Sequence, residues 1–204
     1  MIPKKSGVIR PLTSMEIDIL SRELHTNSDH WMNHPMEKTA LDNGQSIIIN
    51  WVTKINGNYQ LQWTLKEKFP DTWKILESFC PGHEFGKIYW HCLPPGHIAK
   101  PHTDYLNTYI KDGNCFKRYN IFLAIPDNLK LFLDNDLENP VVHHSYQYTI
   151  FDMAAIEKHS AVNNSSTNFY CMIIDILDKH VNVYKDLWSI TNLSEQAKSR
   201  ISKE

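Results

Sequence analysis

The sequence predicts a mainly β chain with flanking helices, folded as a sandwich or small barrel, and three observations carry that expectation. From Gly86 to about residue 177, short β-rich runs alternate with clusters of Pro, Gly, Asn and Asp, and no helical stretch of convincing length interrupts them. The clear helical patterns lie before this region. A length of 204 residues with a 42% hydrophobic share suits one core, so a single domain, 1–204, is expected. Its parts are N-terminal helices and a hairpin (1–85), a strand-rich core (86–177) and a helical tail (178–204).

Thr13-Ser14-Met15-Glu16 has the form of a capping box, and Ile17, Leu20 and Leu24 follow at helical spacing, which predicts a helix over about 13–25. The polar stretch from His25 to Asn43 reads as a long loop. Ser46 to Val52 is rich in β-branched residues, Tyr59 to Trp63 alternates, and Asn56-Gly57-Asn58 between them predicts a hairpin. Asp71 is the expected cap of a second helix that Pro81-Gly82 ends. The strands expected in the core are Lys87 to Leu93, Arg118 to Ile125, Lys130 to Leu133, Gln147 to Phe151 and Phe169 to Ile176. A helix is expected from about Val181.

Composition excludes several functions. Lys and Arg number 21 against 23 Asp and Glu, a net charge of −2, so no sequence-wide basic field exists for general nucleic-acid binding. No apolar run is long enough to span a bilayer, and Met-Ile-Pro-Lys-Lys-Ser-Gly is not followed by the apolar stretch of a signal peptide. A soluble, cytoplasmic chain is expected, with no membrane partner. Cys80, Cys92, Cys115 and Cys171 are too few for a disulfide scaffold and read as reduced. Cys80-Pro81-Gly82-His83 with His91-Cys92 fits no familiar zinc spacing, and neighbours on a strand point to opposite faces.

The sharpest chemical signal is His102-Thr103-Asp104. In an extended segment residues i and i+2 share a face, so one imidazole and one carboxylate converge. A third ligand is available from His159, read here as lying on a turn before the last strand. Two His and one carboxylate on one face of an ion leave open positions, as in the facial triad of non-haem Fe(II) oxygenases.

The neighbouring segments come in a telling order. Pro94-Pro95-Gly96 precedes Ile98-Ala99-Lys100-Pro101-His102-Thr103-Asp104, Arg118-Tyr119-Asn120-Ile121-Phe122-Leu123 follows, then Phe151-Asp152, His159-Ser160-Ala161-Val162-Asn163-Asn164 and Met172-Ile173-Ile174-Asp175-Ile176. In this order residues 86–177 resemble the aspartyl/asparaginyl β-hydroxylase-like branch of the Fe(II)/2-oxoglutarate-dependent dioxygenases. The resemblance implies a double-stranded β-helix (jelly roll, cupin-like) with Fe(II) held by His102, Asp104 and His159. It also implies 2-oxoglutarate as cosubstrate, O2 as oxidant, release of succinate and CO2, and hydroxylation of a carbon.

A buried 5-carboxylate needs a cation. Arg118 matches the family's arginine on the strand after the His-x-Asp loop, Asn120 replaces a His common two residues later, and His91 corresponds to a further polar contact. Many members carry a second Arg ten residues after the distal His, where this sequence has Phe169. The grip is therefore expected to rest on Arg118, helped by Lys117, Tyr89 or His91.

The substrate expected is an amino-acid-like group on a small molecule or a peptide residue. It would be walled by the 25–45 loop, the 46–63 hairpin and Tyr105, Asn107 and Tyr109. Two alternatives remain: a jelly-roll binding protein that has lost turnover, which Phe169 favours, and a cupin-like metalloenzyme that does not use 2-oxoglutarate.

Overall fold

The computed structural model describes residues 7–33, 44–55, 58–81, 84–102, 117–132, 147–152, 159–177 and 183–184. Its elements in order are β1 (Gly7–Pro11), α1 (Ser14–Thr26), β2 (Met32–Asn33), β3 (Gln45–Ile55), β4 (Asn58–Thr64), α2 (Pro70–Phe79), β5 (Glu84–Leu93), β6 (Ile98–His102), β7 (Lys117–Ala124), β8 (Leu129–Phe132), β9 (Thr149–Asp152), β10 (His159–Asn163), β11 (Phe169–Leu177) and β12 (Val183–Tyr184). Short 3₁₀ turns at Ser28–His30 and Lys66–Lys68 complete them.

Helix α1 begins as its sequence predicts. The Glu16 N–H donates to Thr13 Oγ1 at 3.2 Å, and the Thr13 N–H donates to Glu16 Oε2 at 2.8 Å. The second helix starts differently from expectation. Pro70 takes its first position, where a missing N–H costs nothing, and Asp71 is not the cap. Instead the carboxylate of Glu23, reaching across from α1, accepts from the Asp71 and Thr72 N–H groups at 2.9 and 2.8 Å. A buried anion at a helix N-terminus satisfies orphan donors and meets the positive end of the helix dipole.

The strands form two sheets. The larger runs β1-β9-β7-β11-β5-β3-β4-β12 with β2 paired to β3, and the smaller runs β6-β10-β8. From β5 to β11 each successive strand changes sheet: β5, β7, β9 and β11 lie in the large sheet and β6, β8 and β10 in the small one. Strands adjacent in space are thus distant in sequence, as β11 is from its partners β5 and β7. This alternation is a double-stranded β-helix. The expected hairpin exists, with Trp51 opposite Trp63, and extends the large sheet beside β5.

Two expectations need correction. His159 lies on a strand, not a turn, because β10 pairs with both β6 and β8. Val183–Tyr184, where a helix was expected to begin, forms a short parallel strand on β4. The rest of that tail lies outside the described residues.

The large sheet has two buried faces. Ile47, Ile49, Ile88, Trp90, Ile121, Met172 and Ile174 pack with Leu20 and Leu24 of α1 and Ile75 and Leu76 of α2. On the other face Leu93, Phe122, Phe169 and Cys171 meet Ala99, Leu129, Leu131 and Ala161 of the small sheet. The turn into β6 places Gly96 at φ 77°, a conformation that favours glycine. Asn163, fully buried, donates through Nδ2 to the carbonyls of Leu93 and Thr167 and joins the ends of β5 and β10.

Candidate active site

The space between the sheets has an apolar end and a polar end. Paired residues on neighbouring antiparallel strands share a face. Cys171, in the apolar cluster between the sheets, is opposite both His91 and Phe122; Ile173 is opposite Tyr89 and Asn120; Asp175 is opposite Arg118. Ser46 is opposite His91. The inner face of the large sheet therefore passes from Leu93, Phe169 and Phe122 to Ser46, His91, Asn120, Arg118 and Asp175, all of them buried.

A bulge brings His102 to this space. Along β10, His159 and Ala161 are two residues apart, yet their partners on β6, His102 and Ala99, are three apart. In a regular strand His102 and Ala99 would point to opposite faces; the extra residue puts both inward. Pro101 lies within the irregularity, where a residue without an N–H disturbs no ladder bond. The rings of His102 and His159 consequently lie with centroids 4.3 Å apart and planes at 56°.

The donor chemistry fits a divalent metal ion. His102 Nδ1 donates to the carbonyl of Lys100 at 2.7 Å. A carbonyl only accepts, so in the neutral ring the proton is on Nδ1 and Nε2 keeps its lone pair for a ligand bond. Among the described residues no group of three His, Cys, Asp or Glu is assembled, and Asp104, the expected carboxylate, lies outside them. Tyr105, Asn107 and Tyr109 lie outside them as well.

His91 faces the pair from the large sheet. Burial, and after it the charge that His102 can carry, pushes its pKa down to about 4, so the ring is neutral near pH 7. Trp90, its neighbour, points to the helix side, as alternation requires. Cys92 is likewise buried, with its thiol pushed up to about 11 by desolvation, which leaves it unreactive.

Arg118 is not at a sheet edge, since β7 runs between β11 and β9. Its Nε and Nη2 donate to the two oxygens of Asp175 at 2.7 and 3.0 Å. Asn120, two residues on, has a buried Oδ1 with no hydrogen-bond partner among the described residues, and so does Ser46 at Oγ. Such orphans are rare in folded proteins and mark places where a ligand or water belongs. Phe169 stacks on Phe122 with centroids 6.0 Å apart, so its position offers an apolar wall and no cation.

Asp175, Ser46 and the β6 bulge are the site features that sequence reasoning did not single out. A lone Asp in the apolar run Met172 to Leu177 was a usable signal, because a carboxylate there needs a buried partner. The bulge has no local signal beyond Pro101.

Comparison with known proteins agrees with this geometry. A solved oxidoreductase of the 2OG-Fe(II) oxygenase family from Burkholderia pseudomallei matches with a TM-score of 0.54 at 10% identity, covering 83% of this chain and 81% of that one. A Pseudomonas putida prolyl-4-hydroxylase matches with a TM-score of 0.46 at 13% identity, covering 85% and 92%. At such identity the first likeness speaks for the fold. No curated protein matches the sequence. The model of the aspartyl/asparaginyl β-hydroxylase family matches residues 16–179, a span that includes every polar residue of the inner face and both histidines. The chain belongs to the aspartyl/asparaginyl β-hydroxylase family and is an Fe(II)- and 2-oxoglutarate-dependent hydroxylase.

Proposed function

We propose that this hydroxylase acts on an amino-acid-like carbon, in a small molecule or a peptide residue, with His102, Asp104 and His159 as metal ligands and Arg118 as the partner of the 5-carboxylate of 2-oxoglutarate. The observation that carries the reading is the inward pair His102–His159, with His102 Nδ1 donating to the Lys100 carbonyl, the neutral tautomer in which Nε2 carries the lone pair. The family match supports the activity, and the polar end of the inter-sheet space supports the site.

Iron, when bound, supplies O2 activation and the oxidising power for an unactivated C–H. The chain's own groups do the rest. His102 and His159, whose rings face each other between the sheets, would hold the ion together with Asp104. His91, neutral and buried, offers a ring nitrogen without adding charge. Arg118 and Asn120 offer donors on the same inner face, and Phe169, Phe122 and Leu93 keep the adjoining end dry. Exclusion of water there strengthens every polar contact with the oxo acid.

Anaerobic titration with Fe(II) and then 2-oxoglutarate tests the reading. A visible charge-transfer band that appears in the wild type and vanishes in His102→Ala is expected. Iron binding without a band would move the protein to the metalloenzymes that ignore 2-oxoglutarate, and no iron binding at all would favour a binding protein.

A further inference from the structure

We propose that Asp175 is a positioning residue for the oxo-acid site: it fixes the guanidinium of Arg118 and so determines how tightly and how selectively that site holds the distal carboxylate of 2-oxoglutarate. The inference rests on the assignment of Arg118 to that carboxylate.

Asp175 lies on β11, between β5 and β7, and is 1% exposed. Both of its bonds to Arg118 fall on one edge of the guanidinium, Nε and Nη2. Arginine has a second fork, made by Nη1 and the other hydrogen of Nη2, and a partner on the first edge sets where the second one points. The two bonds to Asp175 hold the planar group along one edge and so constrain its orientation.

The other side of Asp175 is shaped to hold the carboxylate in place. A Cβ at Gly86 of β5 would meet the Cβ of Asp175 at 3.2 Å and Leu177 Cδ2 at 3.3 Å, so glycine there gives the aspartate its room. The bulge that brings Gly86 opposite β11 is tied by Asn50, whose Nδ2 donates to the carbonyls of Phe85 and Gly86. Asp175 is thus enclosed by β5 on one side and Arg118 on the other.

A second observation points from this pair toward a ligand. Asn120 shares the inner face with Arg118, and its amide oxygen is buried with no hydrogen-bond partner among the described residues. A fixed guanidinium on the same face as an amide oxygen that lacks a partner among the described residues is a polar corner suited to a group with both donor and acceptor needs, such as a carboxylate with its bound water. The Arg118–Asp175 pair is neutral overall. Recognition then depends on the direction of the guanidinium donors rather than on net charge, which makes the anchoring of that direction the deciding feature.

The test measures affinity for 2-oxoglutarate, and for 2-oxobutanoate, which lacks the distal carboxylate, in Co(II)-loaded protein without O2. Wild type, Asp175→Asn, Arg118→Ala and the double variant are compared, with metal affinity and melting temperature recorded for each. Asp175→Asn is expected to weaken 2-oxoglutarate about tenfold, to leave 2-oxobutanoate and Co(II) affinity within about twofold, and to add nothing to Arg118→Ala in the double variant, since the two residues act as one unit. If Asp175→Asn lowers the melting temperature too far, Asp175→Glu, which keeps the charge and displaces the fork by one methylene, is read the same way. Weakening in Arg118→Ala with none in the Asp175 variants, or additive losses in the double variant, overturns the inference alone. Unchanged affinity in Arg118→Ala overturns the Arg118 assignment and the inference with it.

Discussion

The two faces of the large sheet are made from alternate residues of the same strands, and they are built for opposite ends. On the helix side Ile47, Ile49, Ile88, Trp90, Ile121, Met172 and Ile174 are all buried and apolar. On the inner side the same strands present Ser46, His91, Asn120, Arg118 and Asp175. Each fully buried large apolar side chain stabilises the fold by roughly 1.5–3 kcal/mol, whereas a buried polar atom without a partner among the described residues, such as Asn120 Oδ1 or Ser46 Oγ, costs about 1–3 kcal/mol. The helix face therefore offsets what the inner face costs. A strand that spent both faces on packing would be more stable and have no site.

Four substitutions sharpen or break this comparison. The largest effect is expected at the inner end: His159→Ala and Asp104→Ala should each abolish turnover and reduce Fe(II) affinity by more than the roughly 10–100-fold loss that follows removal of a mere supporting partner. Their melting temperatures should stay close to wild type. Full activity in either variant would remove that residue from the metal site.

On the helix face the signature is reversed. Trp90→Ala is expected to cost about 3–5 kcal/mol in urea unfolding, with 2-oxoglutarate affinity of the remaining folded protein unchanged. A stability loss below about 1 kcal/mol would mean that the helix face is not where the fold is held.

The smallest effect lies at the N-terminal edge of the large sheet. The Glu16 carboxyl is drawn down to about 2 from 4.5, mainly by its hydrogen bonds to Arg10 at 2.7 and 2.8 Å and then by Thr13, against the opposing effect of burial. A depressed folded-state pKa gives stability that is full above about pH 4.5 and is lost as pH falls through about 2. Solvent screening keeps the contribution to about 1 kcal/mol or less. Melting curves of wild type and Glu16→Gln should converge between those pH values, and a gap independent of pH would show that the pairing contributes nothing.

What could be read from the sequence follows from how far each signal reaches along the chain. The capping box at Thr13, the Trp51–Trp63 hairpin and strands such as Phe169–Leu177 depend on neighbours within a few residues, and they form where expected. His159 was misread because its strand, His159–Asn163, is five residues long and runs into Asn and Ser, a composition that also suits a turn. Pairing with β6 and β8 decides it. The cap of α2 was misread because Asp71 is a good local candidate, while Glu23, its actual supplier of acceptors, lies 48 residues away.

The candidate site divides along the same line. Residue types and order determined the family and the inner placement of His91 opposite to Trp90, and they singled out the two histidines as candidates, because period-two alternation and motif spacing are properties of the chain itself. Only the tertiary structure decided that one extra residue in β6 turns His102 inward beside His159, and that Arg118 is engaged by Asp175 across 57 positions. Register and buried pairing arise between strands that meet only after folding. No local preference encodes them, and the energy that selects them belongs to the packed sheets.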